Sequence, residues 1–61
     1  MSTSTTLEKA NIYFLKIKHN YDKALEYFEL NEYSLSKTQL EIFKINLEML
    51  EYLLSELDKD K

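Results

Sequence analysis

Sixty-one residues allow one domain with a small core, marginal alone and in need of a staple. The chain has no Cys, so no disulfide or thiolate metal site, and its single His cannot hold zinc by itself. Eleven acids against eight lysines, with no arginine, give a net charge of −3 and leave no basic patch for nucleic acid. There is also no Gly and no Pro, which disfavours hairpin-rich β folds and costs helices nothing. No apolar run approaches membrane-spanning length, and the start of the chain lacks the basic-plus-apolar arrangement of a secretory signal. The expectation is an all-α cytoplasmic protein with no cofactor, no membrane contact and no nucleic-acid partner. Association with a second copy is the available staple.

Residues 1–4 read as a disordered polar leader. Thr5-Thr6-Leu7-Glu8 reads as a capping box that starts a first helix, expected over 6–32. Leu7, Ala10, Phe14, Ile17, Tyr21, Ala24 and Phe28 alternate at three and four, as a coiled-coil seam does. The pattern passes Lys18-His19-Asn20 in phase, which favours one continuous helix. Asn31 breaks it and tolerates the left-handed conformation that ends helices. A connection over 31–36 follows, then a second capping box, Ser36-Lys37-Thr38-Gln39, with Leu35 and Leu40 at its staple positions.

The second helix, expected over 37–58, organises the chain. Leu40, Phe43, Leu47, Leu50, Leu54 and Leu57 make a main stripe for the first helix. Ile42, Ile45, Met49 and Tyr52 make a second stripe on roughly the opposite side. A helix apolar on two sides wants neighbours on two sides. A short connection makes the pair antiparallel. Two such hairpins covering each other's second stripe would form a four-helix bundle.

Three resemblances bear on this reading. Asn20-Tyr21-Asp22-Lys23-Ala24-Leu25-Glu26-Tyr27-Phe28 resembles the second helix of a tetratricopeptide repeat, and microtubule-interacting-and-trafficking modules have a similar helix. Either resemblance implies a turn at His19-Asn20 and a monomeric three-helix bundle that binds peptides or helices. Ile12 and Asn31 depart from the repeat's small residues. Ser55-Glu56-Leu57-Asp58 resembles the signature of small sporulation-type aspartyl-phosphate phosphatases, themselves helical hairpins, but lacks the Gln of that motif. That resemblance implies a role for Asp58. Plasmid copy-number proteins share the hairpin-dimer plan and bind RNA through basic faces that this chain lacks.

His19 falls off the main stripe with no nucleophile beside it, and a solvent-facing role is the plainer reading. Asp22, Glu26, Glu29 and Glu32 form an acidic strip, read as a solvated face that would favour a basic partner. Tyr21 is assigned to the seam. Tyr13, Tyr27, Ile42, Ile45, Met49 and Tyr52 are the expected interface. The expected role is a small, acidic, non-enzymatic regulatory or interaction protein, a homodimer that binds another protein.

Overall fold

The structure is a computed structural model that describes residues 3–59. Two α-helices, α1 (Thr3–Glu29) and α2 (Tyr33–Lys59), form an antiparallel hairpin; no strand occurs among the described residues. At about 1.5 Å per residue, 27 residues span roughly 40 Å. The molecule is accordingly a rod, 45 × 14 × 14 Å, with a radius of gyration of 14.0 Å. A compact chain of this length would have a radius of about 10.5 Å.

The helix α1 begins and ends about one turn earlier than expected, and α2 begins about one turn early but ends within one residue of its expected place. Thr3 and Ser4 are helical, so Thr5 is no N-cap, and Thr6 is buried. Met1 and Ser2 of the expected leader lie outside the described residues, as do Asp60 and Lys61 of the charged end. The helix α1 is unbroken through Lys18, His19 and Asn20. That corrects the three-helix alternative and removes the turn both helical-module resemblances require. Asn20 could have turned the chain through local backbone bonds. Instead its side chain is buried and bonded to α2.

The reversal takes three residues, Leu30–Glu32, where six were expected. Asn31 does end α1, at φ 63°. Around it the Glu32 N–H donates to the Tyr27 carbonyl (2.8 Å) and the Asn31 N–H to the Phe28 carbonyl (3.0 Å). These are the two bonds of a Schellman motif, which satisfies the last carbonyls of a helix while reversing the chain. The Tyr33 hydroxyl donates to Asn31 Oδ1 at 2.9 Å and braces the turn. With the chain already turned, the Glu32 carbonyl accepts the first bond of α2, from the Ser36 N–H at 3.0 Å. Ser36 is therefore inside α2 and caps nothing. Its hydroxyl crosses to the Ala24 carbonyl at 2.7 Å.

Asn31→Val should cost about 1–2 kcal/mol, because a β-branched residue resists the left-handed region. Asn31→Gly should hold stability within about 1 kcal/mol. Urea unfolding at one fixed protein concentration checks both values.

Candidate interaction surface

The pairing of the two helices decides which side chains are left for other work. On α1 the buried and half-buried positions include Thr6, Ala10, Tyr13, Ile17, Asn20, Ala24 and Tyr27. On α2 they include Ser36, Gln39, Phe43, Asn46, Leu50, Leu53 and Leu57. Both rows alternate at three and four, so the hairpin closes along a coiled-coil seam. Alternate members are those expected: Ala10, Ile17 and Ala24, and Phe43, Leu50 and Leu57. The others sit one residue earlier than the main stripes. Thr6, Tyr13, Asn20 and Tyr27 replace Leu7, Phe14, Tyr21 and Phe28. Gln39, Asn46 and Leu53 replace Leu40, Leu47 and Leu54.

The shift has a physical reason. Small residues at Ala10, Ala24 and Ser36 allow close approach, and a polar layer fixes the pairing. Asn20 Nδ2 donates to Gln39 Oε1 at 3.3 Å, and Asn46 Nδ2 donates to Asn20 Oδ1 at 2.9 Å. Among the described residues no buried side-chain polar atom lacks a partner. A fully satisfied polar layer adds about 1 kcal/mol per bond and penalises any slipped pairing much more. The apolar half of the seam lies nearer the chain ends, where Ala10, Leu50 and Leu53 pack with Tyr13, Ile17 and Leu57.

This seam buries little apolar surface. The buried apolar residues are Ala10, Ala24, Leu50 and Leu53, whereas Phe14 is 49 % and Tyr21 55 % exposed. Leu7, Phe14, Tyr21 and Phe28 recur every seven residues along α1, each just after a seam residue. Leu40, Leu47 and Leu54 do the same along α2, and Tyr33 extends their seven-residue spacing toward the turn. In antiparallel right-handed helices, two rows so placed lie on one side of the hairpin. The Phe28 and Tyr33 rings meet there, with centroids 5.9 Å apart and planes inclined at 55°. Further along, Phe14, Ile17 and Tyr21 of α1 and Phe43 of α2 line a shallow apolar groove. We call this side the broad face. Only Leu47 in its two rows is half-buried.

The residues just before the seam mark the other side. On α1 these include Lys9, Lys16 and Lys23, and on α2 Ile42 and Met49. Lys16 Nζ stands 4.6 Å from the Tyr13 ring centroid, and Lys23 pairs with Glu26 at 3.4 Å. Ile45, Met49 and Tyr52, with Glu48, line a second shallow depression.

The expected interface residues therefore divide. Ile42, Ile45, Met49 and Tyr52 are exposed on α2, Ile45 to 68 %. Tyr13 and Tyr27 are half-buried in the hairpin's own seam. Tyr21, assigned to the seam, faces outward. His19 is exposed, as are Asp22, Glu26, Glu29 and Glu32. The Ser55 hydroxyl donates to the Glu51 carbonyl at 3.0 Å, and Asp58 is exposed near the end of α2. Among the described residues no group of three His, Cys, Asp or Glu side chains could hold a metal, and no helix is long and apolar enough to cross a membrane. Sequence alone places Ser36 and Gln39 in a capping box and Asn20 at the turn of the three-helix alternative, and passes over Asn46; it puts none of the four in the seam. Their signal is a row of small and polar residues in heptad phase, Ala10, Asn20 and Ala24 on α1 and Ser36, Gln39 and Asn46 on α2. No protein-family model, curated protein or solved structure matches the chain.

Asn20→Ala should leave Gln39 and Asn46 short of partners and cost about 1–3 kcal/mol. Urea unfolding beside the exposed control His19→Ala, expected within about 0.5 kcal/mol, checks the difference.

Proposed function

We propose that this chain is a small interaction module that works as a homodimer, two hairpins closing over their broad faces into a four-helix bundle. The observation that carries this is the polar seam. It leaves the larger part of each helix's apolar stripe outside the hairpin, on one continuous side. Large exposed apolar patches on small proteins mark interaction sites. The area is of the right size. A strip about 40 Å long and roughly 14 Å wide buries on the order of 1,100 Å² over two copies, above the roughly 1,000 Å² a biological interface needs and near the lower end of stable ones. The Leu, Phe and Tyr residues of the broad face suit a bundle core, and Tyr and Phe are enriched at the centres of interfaces. The opposite side is poorly suited to self-association, since Lys9, Lys16 and Lys23 would meet their own copies.

The second stripe then serves another protein. Ile42, Ile45, Met49 and Tyr52 stay outside the bundle, beside the lysine row. An amphipathic helix with acidic flanks fits that combination. The role is regulatory binding rather than catalysis. It rests on surfaces that are apolar and shallow, with polar groups confined to the seam and the rims.

Light scattering across a range of concentrations should give twice the chain mass in the micromolar range. Phe14→Asp should raise the dissociation constant at least about 100-fold, since it buries an unpaired charge at the bundle core. A wild-type chain that stays single and cooperatively folded at high concentration would overturn the reading. Ile45→Asp, by contrast, should leave the dimer mass unchanged while abolishing cross-linking to the partner helix.

A further inference from the structure

The homodimer reading leaves two ways to stack the hairpins. The turns can lie at the same end, with α1 over α2 of the other copy. They can lie at opposite ends, with α2 over α2. The rim of the broad face distinguishes them. On α2 the next row outward is Lys37, Lys44, Glu51 and Asp58, all exposed and spaced by seven. Its sign changes at the middle: the two residues nearer the turn are basic and the two nearer the chain end are acidic. The corresponding row on α1 includes Asn11, Lys18 and Leu25, and no acid among the described residues.

We propose that the second copy docks with its turn at the opposite end, α2 against α2 about a two-fold axis near Asn46. This rests on the dimer reading above and adds the orientation. With two copies of α2 fully overlapped and antiparallel, Lys44 of one copy comes within one helical turn of Glu51 of the other. Lys37 comes equally near Asp58, and symmetry repeats both pairs. The row is complementary to itself only when reversed. The same-end arrangement lacks this match. Within the hairpin Ser36 meets Ala24, and Asn20 lies between Gln39 and Asn46. Lys18 is therefore level with Lys44, and stacking α1 on the other copy's α2 would set these two ammonium groups against each other. Charges at the rim of a helical interface set orientation and partner choice through this discrimination.

The chain has no native Cys, so a spin label on Glu32→Cys reports on the turn alone. Pulsed electron resonance on the full-length dimer should give a label-to-label distance of about 40 Å, near the rod's length. A distance below about 25 Å, with the mass still dimeric, would overturn the opposite-end orientation and leave the homodimer standing. A monomeric mass at all concentrations would overturn both. The rim supplies a second test. Glu51→Lys with Asp58→Lys should raise the dissociation constant roughly tenfold at low salt. Adding Lys37→Glu and Lys44→Glu should restore it. A quadruple variant no tighter than the double would argue against the α2–α2 rim.

Discussion

The polar contact at the middle of the hairpin sets the terms for the rest of the molecule. Asn20 bonds to both Gln39 and Asn46, and Ser36 reaches the Ala24 carbonyl. These bonds turn each helix so that its smaller, more polar flank faces inward. Closure by small and polar groups is geometrically specific but supplies modest burial. A hairpin held mainly by Leu50, Leu53 and two alanines has little to set against the entropy of ordering more than fifty residues. The hairpin gives the chain a shape and a register. Most of its large apolar side chains remain on the faces that shape presents.

Much of the fold was legible. Heptad spacing and the lack of Gly and Pro point to two long helices, and Asn31 marks the reversal through its tolerance of positive φ. The reversal is shorter than expected because the Schellman motif needs only Leu30, Asn31 and Glu32 between the helices, whereas the Ser36 box argued for a later start. Ser36 carries the sequence character of a cap, a hydroxyl ahead of an apolar run. Its hydroxyl found a better partner across the hairpin, at the Ala24 carbonyl. Local rules identify what a hydroxyl can do, and tertiary packing decides which option is used.

The rotation of the seam was less legible. Hydrophobicity favours Phe14 and Tyr21 over Tyr13 and Asn20 as inward residues, and for a chain packing only against itself that choice would be sound. Two helices touching along one seam cannot bury stripes this wide. When a stripe exceeds one contact, periodicity gives the helix and its apolar arc but not the edge of the arc that goes inward. Here Ala24, Ser36 and the three amides settle it, and a hydropathy pattern gives such residues no weight. The second stripe, Ile42 to Tyr52, lies outside the hairpin, as its position opposite the main stripe implies.

The three-residue turn has a consequence for how the chain can misassemble. Every seam contact joins one helix to the other, so a chain whose turn opened could form all of them again with a second opened chain. The Asn20 layer would read the exchanged α2 as its own. What favours closure within one chain is the high effective concentration that a three-residue tether enforces, together with the left-handed Asn31 that bends it. Stiffening that corner into continuous helix would convert the hairpin into a long rod that can satisfy its seam only by exchanging helices with other chains.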